Sequence, residues 1–202
     1  MCKVICVTER RLCRESFLHR IGMICQSAPD SIILREKDLP EKEYITLAAE
    51  VMELCERYGT DCTLHTYADA AAELGARRIH LPLPILRELT APERFDVIGV
   101  SVHSPAEAQE AQRLGAAYVT AGHVFATDCK AGLPGRGLDF IRETVSAVSI
   151  PVYAIGGISP SNAGAVIAAG AAGICIRSGF MVCEDTSAYM NGLRSGINER
   201  KA

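Results

Sequence analysis

The chain of 202 residues has no uninterrupted apolar run of about 18 residues, so no segment of it reads as a membrane span. It has no extended basic tract either. With a formal net charge of -3, that argues against DNA or RNA as the main ligand. The first residues, "MCKVICVTERRLC", lack the long apolar core of a secretory leader and read directly as a strand. Cysteine is not scarce, but the nine are odd in number and no two are spaced C-x-x-C. That argues against a disulfide framework and against a zinc site. Cys6, Cys62 and Cys175 lie in apolar runs, where cysteine acts as a small hydrophobe. A reduced, cytoplasmic setting is expected. No linker or shift in composition divides the chain, so residues 1–202 are expected to form one domain.

What is present is an alternation of short apolar runs with amphipathic segments. Eight runs read as strands: 3–8, 31–36, 62–66, 77–81, 96–102, 116–122, 151–157 and 173–179. They are continuously apolar, as parallel strands covered on both faces must be. Ser104-Pro105-Ala106-Glu107 offers an N-cap, a first-turn proline and a capping-box glutamate, and Ser159-Pro160 is expected to open a later helix similarly. Three helices end on one formula, with Gly75, Gly115 and Gly170 before the next strand. Eight strand–helix units of about 25 residues each predict an α/β fold, a single (β/α)8 TIM barrel. The competing doubly wound sheet would want a glycine-rich turn after its first strand, where this chain has "TERRLCRES".

In a barrel, chemistry collects where strands end at the C-terminal face. Those ends supply Arg35-Glu36-Lys37, His65-Thr66, Ser101 and His103, His123, Gly156-Gly157 and Ser178-Gly179. Gly156, Gly157, Ser178 and Gly179 fit a phosphate cradle, toward which a helix opening at Ser159 would aim its dipole. Arg35 and Lys37 suit anion contact, whereas Glu36 reads as a solvated charge. The loop after the sixth strand carries Thr127 and Lys130, and Lys130 could close over an anionic ligand. His123 ends that strand and His103 ends its neighbour; imidazoles there can exchange protons near neutral pH. No aspartate cluster accompanies His123, so metal binding is not its natural explanation.

The stretches "LREK" (34–37), "GVSVHS" (99–104), "GHVFATDCKAGLPGRGLDFIRE" (122–143), "IPVYAIGGISPSNA" (150–163) and "GICIRSG" (173–179) resemble the thiamin phosphate synthase and thiazole tautomerase (TenI-like) barrels over nearly the whole length. In the synthases the resemblance implies that a pyrimidine diphosphate joins a thiazole phosphate, with magnesium on acidic ligands neutralising the leaving diphosphate. This chain departs there, with His65-Thr66 for an Asn-Asp pair, "HLPLPILRE" without an aspartate, and Gly122-His123 for Gly-Pro. The tautomerase branch matches at His123, Thr127, Cys129, Lys130 and Gly132-Leu133-Pro134. The resemblance therefore implies a thiazole tautomerase, an isomerase that aromatises a thiazole phosphate carboxylate. His123 would be its acid/base catalyst, His103 would assist, and neither metal nor cofactor would be needed. Two alternatives stand beside it: a magnesium-dependent thiamin phosphate synthase, and a non-catalytic regulator that binds a phosphorylated ligand. The expected partner is a small phosphorylated thiazole, and the family implies a homo-oligomer.

Overall fold

The structure is a computed structural model that describes residues 2–127 and 132–198. The eight apolar runs form β1 (Lys3–Val7), β2 (Ser31–Leu34), β3 (Cys62–His65), β4 (Arg78–Pro82), β5 (Val97–Val102), β6 (Tyr118–Gly122), β7 (Val152–Ile155) and β8 (Gly173–Ile176). Each pairs in parallel with its successor, and β8 returns to β1, closing the barrel. Between and after them run α1 (Phe17–Gln26), α2 (Glu41–Tyr58), α3 (Ala68–Glu73), α4 (Leu83–Glu88), α5 (Pro105–Arg113), α6 (Gly137–Ala147), α7 (Ala163–Ala168), α8 (Ser178–Val182) and α9 (Thr186–Asn198). Among the described residues no helix is long and apolar enough to cross a membrane.

Strand alternation divides the apolar residues into two layers. Outward-facing residues such as Val4, Ile32, Leu64, Ile79 and Val119 pack against the helices in one large cluster. Inside the barrel a small cluster of Ile5, Val7, Ile33 and Cys175 packs with Tyr153 and Ile155. The rest of that interior is polar, and there the site begins.

Helix punctuation follows the sequence in α5, where the Ser104 hydroxyl accepts from the Glu107 backbone N–H at 3.1 Å. It fails at α7, which opens at Ala163 instead of Ser159. The Asn162 side chain takes over the intervening turn: Oδ1 accepts from the Ser159 N–H at 2.8 Å and Nδ2 donates to the Gly157 carbonyl at 2.9 Å. With six residues starting that late, α7 does not present its first turn at Ser159.

β2 also stops short of its expected end at residue 36, because hydroxyl groups replace the ladder there. The hydroxyl of Tyr44, a buried residue of α2, donates to the Leu34 carbonyl and accepts from the His65 N–H, both at 2.8 Å. Thr8 accepts from the Arg35 N–H at 2.9 Å. One phenol therefore bridges β2 and β3 where their pairing opens toward the mouth. Tyr44→Phe leaves a buried donor and a buried acceptor unpaired, and should destabilise the fold by on the order of 2–3 kcal/mol in urea unfolding.

Candidate active site

At the C-terminal mouth the barrel opens into a cavity of about 480 Å³. Most of the residues anticipated from strand ends meet on its wall: Arg35, Lys37, Ser101, His103, His123, Thr127, Gly156, Gly157 and Ser178. Lys130 and Cys129 lie outside the described residues. Gly179 is not on the wall. It sits in α8, where a Cβ would come within 2.0 Å of the Tyr189 hydroxyl, so packing against α9 explains it and an anion cradle does not.

The floor is a buried imidazole. His80 shares hydrogen bonds through Nε2 with the Ser101 hydroxyl at 2.9 Å and through Nδ1 with the Tyr118 hydroxyl at 3.1 Å. Beside it lies His65, nearly parallel, with ring centroids 5.6 Å apart and planes 21° apart. Burial holds the His80 pKa down at about 3, helped by the charges of Arg35 and Lys37. Burial likewise pushes His65 well below its ordinary value, and His80, Arg35 and Lys37 add to the effect. Both rings are neutral at neutral pH.

Cations form the rim. Arg35 and Arg177 share one carboxylate, Glu9, at 3.6 and 3.4 Å. Burial and the neighbouring Arg177 lower the Arg35 pKa, but a guanidinium stays charged. Arg87 on α4 donates two parallel hydrogen bonds to Glu110 on α5, at 2.7 and 2.9 Å. Glu36 corrects the expectation of a solvated charge: it is 1% exposed. It accepts from the Thr8 hydroxyl at 2.6 Å and from the Arg10 N–H at 3.0 Å, while burial raises its pKa.

His123 lines the cavity beside Gly156. Its Nε2 is 3.0 Å from the Pro134 carbonyl, which only accepts, so that nitrogen carries a proton. His103 donates in the same way from Nδ1 to the Gly122 carbonyl at 3.1 Å. Gly156 has φ of +107°, and a Cβ there would fall 2.5 Å from the His123 Cβ, so the glycine is demanded by the segment packed on it. That segment is held by backbone bonds: Val124 N–H to Ile155 carbonyl at 3.0 Å and Phe125 N–H to Gly156 carbonyl at 3.1 Å.

Magnesium, implied by the synthase alternative, finds no fit in these residues. It prefers carboxylate and other hard oxygen ligands. Glu107 is the carboxylate on the described wall, and its Oε2 accepts from the His103 N–H at 2.6 Å. Glu9, Glu36 and Asp38 cluster just behind that wall without lining it, and each already pairs with an arginine or backbone N–H.

His80, Arg87 and Arg177 were not singled out from the sequence. The signal for His80 was available: Ile79 and Leu81 flank it and face the helices, which turns the imidazole inward.

Fold and site together define a (β/α)8 barrel with a cation-rimmed mouth. The chain belongs to the family described as thiamine monophosphate synthase (TMP-TENI), which matches residues 4–180. It is 36% identical over 202 residues to a thiamine-phosphate synthase of Pyrococcus horikoshii, covering 98% of this chain and 95% of the relative. It is 37% identical over 178 residues to the enzyme of the same name from Moorella thermoacetica, covering 85% and 83%. A thiamine phosphate pyrophosphorylase from Pyrococcus furiosus superposes with a TM-score of 0.84 at 30% identity, covering 99% of this chain and 97% of that one.

These relatives overturn the expectation of a thiazole tautomerase, and with it the isomerase class. They carry the name of a transferase. What suggested the isomerase was a match in the loop after β6, a kind of segment that varies readily, together with the missing acidic residues after β3 and β4, whereas the likeness to synthases runs through the whole barrel.

The neutral floor makes stability depend on pH. Folded His80 resists protonation down to about 3, whereas the unfolded chain takes up that proton below about 6.5. Between those limits the unfolded state binds more protons, so stability falls as pH falls. His80 alone adds a slope of up to about 1.4 kcal/mol per pH unit. Urea midpoints measured from about pH 7 to about pH 4 should show the decline, and His80→Gln should flatten it.

Proposed function

We propose that the protein is a transferase of the thiamine-phosphate synthase type, joining a pyrimidine diphosphate to a thiazole phosphate in the cavity at the barrel mouth. One observation carries the reading: Arg35, Lys37, Arg87 and Arg177 converge on the wall, where Glu107 is the one carboxylate among the described residues, and they outnumber it even with Glu9 and Glu110 paired behind three of them. Two anionic substrates need such an excess of fixed positive charge.

The wall divides the work. Arg35 and Lys37 follow β2 and meet the diphosphate, while Gly156, Gly157 and Ser178, beyond β7 and β8, offer backbone and hydroxyl donors to the second substrate's phosphate. Between them the neutral His65 and His80 offer ring faces and hydrogen-bonding nitrogens to heteroaromatic rings without adding charge. Ser101 and Thr120 hold His80 in place, at 2.9 and 3.4 Å. His123 and Thr127 complete the rim; His123 acts there as a positioning residue, its Nε2 proton engaged by Pro134. Holding both reactants in one cavity turns an encounter of two solutes into a single bound event. The reading includes a cytoplasmic setting, in keeping with eight described cysteines that are all free, and a homo-oligomer.

Purified protein given both substrates, with and without magnesium chloride, should form thiamin phosphate, measured by chromatography. Arg35→Gln should raise KM for the diphosphate substrate by about tenfold or more, the loss of a charge-assisted contact. No thiamin phosphate under either condition would overturn the reading.

A further inference from the structure

A diphosphate leaving group brings several negative charges into the cavity, and a magnesium ion meets them only where carboxylates hold it. The positions after β3 and β4 carry His65-Thr66 and Pro82-Leu83-Pro84, which offer an imidazole, a hydroxyl and apolar surface. The His65 ring is already oriented: Nδ1 bonds the Thr66 hydroxyl, its own backbone N–H is tied to Tyr44, and its face lies along His80. Buried neutral imidazoles beside two cations are a poor seat for a hard, doubly charged ion.

Fixed guanidiniums stand where that charge would be needed. Glu9 lies behind Arg35 and Arg177, and Glu110 lies behind Arg87; these acids aim the forks and reduce the ordering cost of binding. The Arg35 and Arg177 side chains are only 25% and 21% exposed, which strengthens their attraction for an anion relative to that of a solvated residue. A planar guanidinium matches two phosphate oxygens at once.

We propose that this site binds diphosphate with its own side-chain cations, Arg35, Arg177 and Arg87 together with Lys37, and takes no divalent metal to do so. The identity of the ligand rests on the transferase reading above; the metal independence rests on the residues around it.

Isothermal titration of inorganic diphosphate into the purified chain separates the two. Binding in the presence of a chelator should be at least as tight as in magnesium chloride, and Arg35→Gln should weaken it by about tenfold in both. Lys37→Gln serves as a second variant should Arg35→Gln fail to fold, with the same expected loss. Diphosphate binding that disappears with chelator and returns only with magnesium would overturn the proposal, even if thiamin phosphate is then formed. Chelator-insensitive binding without thiamin phosphate formation would uphold the metal-free site and overturn the transferase reading instead.

Discussion

An eight-stranded barrel encloses room for side chains and little else, so a polar ring placed inside it must find partners on every side. His80 does, through Ser101, Thr120 and Tyr118. That one satisfied imidazole divides the barrel interior. On one side lie Ile5, Val7, Ile33 and Cys175; on the other lies a hydrogen-bonded layer contributed by β4, β5 and β6. The cavity touches both, and its polar part is uncharged because the proton that would charge His80 is excluded by burial.

The rim follows the opposite rule. Its charges are fixed in place by acids behind them: Glu9 serves two guanidiniums and Glu110 a third. Glu36, buried beneath, anchors the segment after β1 to the segment after β2 through Thr8 and the Arg10 backbone. Cations above and neutral rings below are one electrostatic arrangement, since the Arg35 and Lys37 charges help keep His65 and His80 unprotonated.

The barrel was legible because parallel strands covered on both faces leave continuous apolar runs, and all eight were visible. Their ends were less so. Strand period alone does not reveal that Tyr44, ten residues beyond Leu34, takes over the end of β2, or that Asn162 delays α7. Arg35, Lys37, Ser101, His123 and Gly156 were found because the C-terminal rim is a topological position that strand order marks out. Glu36 was misread because its partners, Thr8 and Arg10, lie in a distant segment. Arg87 escaped notice because it sits on a helix, and Arg177 because the following Ser-Gly drew attention to the turn. The reaction was less legible than the fold, because the loop after β6 and the missing acidic residues after β3 and β4 point to one branch of the family while the likeness over the whole chain points to the other.

Among the described residues between β6 and β7, main-chain groups make most of the joining bonds. The bonds run from Val124 to Ile155, from Phe125 to Gly156, from Arg136 to His123 and from Gly137 to Val124, and even the His123 ring reaches a carbonyl. A connection stitched in this way is indifferent to most of the letters it is written in. Main-chain bonds of this kind leave side chains free to change without loss of the bonds, so the wording of that segment is a poor guide to which reaction the barrel performs.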